Sequence, residues 1–79
     1  MQPVVKGMVQ VFGTTYRIVR LEPRTYEAVR ISDDFQVGTF KAGPRLEIST
    51  SAIEPNLMRE IARVAIQKAK TSWVGPLAL

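Results

Sequence analysis

Short runs of β-branched and aromatic residues, broken by turn residues, occupy the first fifty positions of this chain before the apolar spacing turns helical. Thr15-Tyr16-Arg17-Ile18-Val19-Arg20-Leu21 is echoed by Thr25-Tyr26-Glu27-Ala28-Val29-Arg30-Ile31, with Glu22-Pro23-Arg24 between the copies. Both copies are β-branched and aromatic and too short for helices, and Pro23 supplies a preset φ at the join, so the pattern predicts a β-hairpin. Val9-Gln10-Val11-Phe12 predicts an opening strand that exits through Gly13 and Thr14. Ser32-Asp33-Asp34 predicts a turn, and Phe35 to Phe40 the next strand, in which Gly38 marks a bulge or a close backbone approach. After Lys41-Ala42-Gly43-Pro44, the run Arg45-Leu46-Glu47-Ile48-Ser49 alternates as a half-buried edge strand with Leu46 and Ile48 inward.

From Pro55 to about Ser72 the apolar spacing becomes helical: Leu57, Ile61, Val64 and Ala65 share one face, flanked by Met58, Ala62 and Ala69. Two start signals disagree here. Ser51-Ala52-Ile53-Glu54 has the form of a capping box, whereas Pro55 belongs at a first helical position, so a short 3₁₀ turn leading into the helix is expected. Ser49, Thr50 and Ser51 read as helix-entry caps, Lys68 and Lys70 suit the helix C-terminus, and Gly75-Pro76 stops the helix. Together these elements predict an α+β fold, an antiparallel meander of four or five strands with one C-terminal α-helix packed on one face. All 79 residues form one small domain ending in an apolar tail, residues 72–79.

With Pro23 and Arg24 as the turn centre, the hairpin pairs Leu21 with Tyr26, Arg20 with Glu27, Val19 with Ala28, Ile18 with Val29, Arg17 with Arg30 and Tyr16 with Ile31. In that register Arg20 and Glu27 attract, while Arg17 and Arg30 repel. The repulsion calls for a slipped register, splayed side chains or an acidic group from outside the hairpin. The two tyrosines fall on opposite faces.

Composition narrows the chemistry. A domain of 79 residues buries only about 60% of its unfolded surface, so its core is thin and its total stability of order 4 to 12 kcal/mol. There is no Cys and no His. That removes disulfides, thiolate metal sites, the usual zinc ligands, the usual general base and every Ser-His or Cys-His nucleophile. Asp33-Asp34 lacks the spacing of a calcium loop, and the glycines form no phosphate-cradling motif. No catalytic, cofactor or metal residue is therefore assigned, and a non-enzymatic protein is expected. No apolar run approaches a membrane span and no signal-peptide core is present, so the expected location is cytoplasmic.

Eleven Lys and Arg against seven Asp and Glu give a net charge of +4, a mild pull toward anionic partners. Candidate anion or nucleic-acid contacts are Arg17 and Arg30 of the hairpin, with Tyr16 and Tyr26 nearby as rings for stacking, and Arg59, Arg63 and Lys70 along one helix face. Glu60 falls off that stripe, so the face is expected to be basic rather than balanced. The tail Ser72-Trp73-Val74-Gly75-Pro76-Leu77-Ala78-Leu79 has no side-chain charge, and Trp73, Val74, Leu77 and Leu79 are candidate protein-interface residues.

The strand meander followed by Lys41, Gly43, Ile48 and Ser49 leading into a single helix resembles, over about 60 residues, the single-stranded DNA-binding transcriptional coactivator fold. The likeness is one of element order and carries no binding residues with it. Two functions follow from the sequence. One is a protein-interaction or regulatory module that self-associates, as a dimer, through sheet edge, sheet face or apolar tail. The alternative is a small basic nucleic-acid-binding regulator, and convergence of its cations on one surface is what separates the two.

Overall fold

Strand by strand, the apolar alternation builds one antiparallel sheet. The protein is seen in a computed structural model that describes residues 2–71. In it β1 (Val4–Val11), β2 (Thr14–Glu22), β3 (Thr25–Arg30), β4 (Phe35–Lys41) and β5 (Glu47–Ser51) pair in chain order, and α1 (Pro55–Thr71) follows. This is an α+β fold, a five-stranded meander with one helix packed on it. The candidate tail residues Trp73, Val74, Leu77 and Leu79, with the Gly75-Pro76 stop, lie outside the described residues.

Side chains directly opposite each other across a ladder share a face, so the register sorts the sheet into two sides. Val9 pairs with Tyr16, Ile18 with Ala28, Ala28 with Gly38, and Tyr26 with Phe40. These residues face the helix and form the core with Val11, Val37, Ala42, Met58, Ile61, Ala62 and Ala65. Tyr26 and Phe40 stack with ring centroids 5.4 Å apart. The other side carries Val5, Met8, Arg17, Val19, Glu27, Val29, Gln36 and Thr39. No helix covers that face among the described residues, yet Val19 and Val29 are buried. Val29 lies directly between Arg17 and Gln36, and Val19 between Val5 and Glu27, so both valines sit in the middle of the sheet, flanked on either side.

Gly38 explains how the helix seats. A Cβ there would lie 2.5 Å from the Thr50 carbonyl oxygen and 2.7 Å from the Met58 sulfur. The bare backbone lets β5 and α1 close onto β4, and the adjacent irregularity leaves Val37 as the extra residue opposite Ala28 and Val29. Both readings of Gly38, bulge and close approach, thus apply. At its other end α1 reaches β1, where the Lys68 ammonium donates to the Met8 carbonyl oxygen at 2.6 Å. The helix therefore spans the sheet from β4 and β5 to β1.

Several local expectations are corrected. The hairpin is one residue out of the expected register: Tyr16 pairs with Arg30, Arg17 with Val29, Val19 with Glu27 and Arg20 with Tyr26. Pro23 and Arg24 do form the turn, but the ladder skips Leu21, and one bulged residue moves every pair behind it. Tyr16 and Tyr26 consequently share the helix side, and both are buried. The opening strand runs Val4–Val11, and Phe12-Gly13 is its turn. Positive φ at both residues, 49° and 81°, is the signature of the type I′ turn that suits hairpin twist.

At the helix start the Pro55 signal wins over the capping box. The Glu54 carboxylate accepts the backbone N–H of Asn56 at 3.1 Å and of Leu57 at 3.0 Å, so Glu54 caps the helix and Pro55 opens it. In place of a 3₁₀ turn there is a bend in which the Ser51 hydroxyl bonds the backbone of Ile53. Thr50 is a β5 residue whose hydroxyl meets that of Thr39 at 2.8 Å. The buried helix face centres on Met58, Ile61, Ala62, Ala65 and Ala69, with Leu57 and Val64 at its rim.

Candidate functional site

The five candidate cations do not meet. Register parity puts Arg17 on the open face and Arg30 on the helix side, while Arg59, Arg63 and Lys70 are exposed on α1. Three of the five are already closed in ion pairs. Arg17 donates to Asp34 at 2.7 Å. Arg30 grips Asp33 through two nitrogens, at 2.9 Å and 2.8 Å, and lies over the Phe35 ring, 5.2 Å from its centroid. Arg63 binds Glu60 through two nitrogens one helical turn away, which corrects the expectation of an unbalanced basic stripe.

The Asp33-Asp34 turn is the external acid the hairpin arginines called for. Its two carboxylates serve one arginine on each side of the sheet. The hydrogen bond from Arg30 holds the Asp33 carboxyl below its ordinary value, and that from Arg63 does the same to Glu60. A phosphate arriving at Arg17, Arg30 or Arg63 would have to displace a carboxylate already in place. The tyrosines offered for base stacking face the core. Burial pushes the Tyr26 hydroxyl above its ordinary value, against the opposing charge of Arg20. Arg20 itself has its Nε buried without a hydrogen-bond partner.

The exposed apolar groups are more concentrated. Large hydrophobic side chains left in water among the described residues are Val4, Val5, Met8, Phe12, Ile31 and Phe35. Four of these belong to β1 and the turn that follows it. Exposure reaches 58% at Val5, 50% at Met8 and 84% at Phe12. Phe12 is unusual twice over, because a bulky aromatic also holds a left-handed backbone that Asn or Gly would adopt more cheaply. Beside that turn lies an open depression of about 340 Å³ lined by Gly13, Thr14, Thr15, Ile31 and Ser32. Strict alternation from the buried Val9 and Val11 would have put Met8, Gln10 and Phe12 outward, so this strip had a sequence signal that the hairpin echo overshadowed.

β1 is a sheet edge, but its backbone is guarded. The ladder is irregular at Lys6, and Lys68 occupies the Met8 carbonyl. A bulge and lysines are familiar defences against strand addition. β5, the other edge, has five residues, and Ser49, Thr50 and Ser51 are exposed. What β1 presents is therefore a strip of apolar side chains rather than a free ladder.

Among the described residues there is no group of three or more His, Cys, Asp or Glu that could hold a metal ion, and no helix is long and apolar enough to cross a membrane. Comparison with protein-family models, curated proteins and solved structures finds no match to this chain.

Proposed function

We propose that this protein is a non-enzymatic interaction module that self-associates through the β1 strip, its occupant being the same strip of a second copy. The observation that carries the reading is the exposure of Val5 and Met8 on the open face of β1, with Phe12 in the turn beyond, while Arg17, Arg30 and Arg63 are already paired with carboxylates. A twofold axis beside β1 brings like residues together, as an isologous contact requires. The guarded backbone disfavours an endless ladder and leaves side-chain packing to define a closed pair.

The Lys68 ammonium ties the end of α1 to the Met8 carbonyl, so the helix holds the edge strand in place from within the fold.

Light scattering of the wild type and of Val5→Ser/Met8→Ser tests the proposal. Both positions are half exposed, so the variant keeps its core. Twice the chain mass for the wild type and one chain mass for the variant are expected. A monomeric wild type would overturn it, as would a dimer that the substitutions leave unchanged. Nucleic-acid binding through Arg17, Arg30, Arg59, Arg63 and Lys70 ranks second, since three of those cations already have carboxylate partners.

A further inference from the structure

The two ends of the sheet differ in chemistry. In a meander the β1–β2 and β3–β4 turns lie at one end, and the β2–β3 turn and the β4–β5 connection at the other. Phe12, Ile31 and Phe35 mark the first end. At the second, Arg24, Lys41 and Arg45 line a depression of about 200 Å³ together with Ala42, Gly43, Pro44 and Glu47. We infer that this basic depression is a binding site for a phosphate group.

Three cations and one carboxylate surround the space, leaving it net positive. Arg24, Lys41 and Arg45 are all exposed, and neither Lys41 nor Arg45 has an ion-pair partner among the described residues. Arg17, Arg30 and Arg63, by contrast, each hold a carboxylate. The two connections are also fixed to each other, because the Ala42 N–H donates to the Arg24 carbonyl oxygen at 2.8 Å. The cations therefore sit on a preset frame, which lowers the ordering cost of gripping an anion.

Arg24 adds a separate argument. Its φ of 68° is a left-handed backbone at the third position of the Glu22-Pro23-Arg24-Thr25 turn, where glycine is the favoured residue. The left-handed turn holds Arg24 at the rim of the depression. This site is independent of the β1 strip.

The test follows backbone amides by NMR while the full chain is titrated with inorganic phosphate and, in a separate arm, with a short single-stranded oligonucleotide, chloride holding ionic strength constant. Saturable shifts confined to residues 22–25 and 41–47 are expected, with Lys41→Gln/Arg45→Gln weakening binding about tenfold or more and Arg17→Gln/Arg30→Gln leaving it unchanged. Tighter binding of the oligonucleotide at the same amides assigns the phosphate to a nucleic-acid backbone. Response to inorganic phosphate alone assigns it to a small phosphorylated compound. Shifts in neither arm, or shifts spread evenly over Arg59, Arg63 and Lys70, would overturn the site.

Discussion

Two single residues set the local geometry of this protein in opposite ways. Gly38 is bare because Thr50 and Met58 need the space, and a Cβ would fall 2.5 Å from a backbone oxygen that cannot swing aside. Gly38→Ala should therefore cost about 1 to 3 kcal/mol of overpacking, measured by urea denaturation. No loss would mean that β4 and β5 are not so closely apposed. Phe12 shows the reverse, a side chain kept where its backbone is unfavourable and its ring lies in water. Phe12→Asn should raise monomer stability by about 1 kcal/mol, because Asn-Gly is a preferred type I′ pair. The same substitution should weaken association if the ring lies in the proposed interface. A stability loss would show that the ring packs against the fold. Gly38 was legible as a close approach from its place within a strand pattern. Phe12 was misread because its strand propensity concealed a turn formed with Gly13.

At the scale of elements, the strands and helix followed from periodicity, whereas their register did not. Period 2 and the Pro23 turn determined where β2 and β3 lie. One bulged residue, Leu21, then decided which side chains oppose, and nothing in the composition of that run distinguishes a bulge from regular strand. The consequence for the candidate site was large. Arg17 and Arg30 moved to opposite faces, and the two tyrosines came to share the helix side. The expected repulsion was a true signal all the same, since it demanded either a slip or an outside acid, and the structure contains both. For α1, the position of Pro55 was the better guide to the start, with Glu54 as cap. Glu54→Ala should cost about 1 kcal/mol of stability by removing the acceptor for two backbone N–H groups. Ser51→Ala should have the larger effect if the capping box were correct after all.

For the molecule as a whole, the absence of histidine gives a distinctive pH profile. Asp33 and Glu60 lie below their ordinary values of 3.8 and 4.5, so their contribution is present above those values and is lost as pH falls through the folded ones. Tyr26 lies above its ordinary value of 10.0, so its contribution is present below pH 10.0 and is lost as pH rises through the folded value. Thermal unfolding from pH 3 to 11 should show a plateau across neutrality with decline on both flanks. A step between pH 6 and 7 would contradict that assignment. Across the whole molecule an apolar β1 side stands apart from a basic turn end, and assembly through β1 is the property on which the proposed function depends. The decisive measurement is the light-scattering mass of the full chain beside that of Val5→Ser/Met8→Ser. The expected result is a dimer that the two substitutions convert to monomer, whereas a monomeric wild type, or a dimer indifferent to them, would rule out assembly through β1.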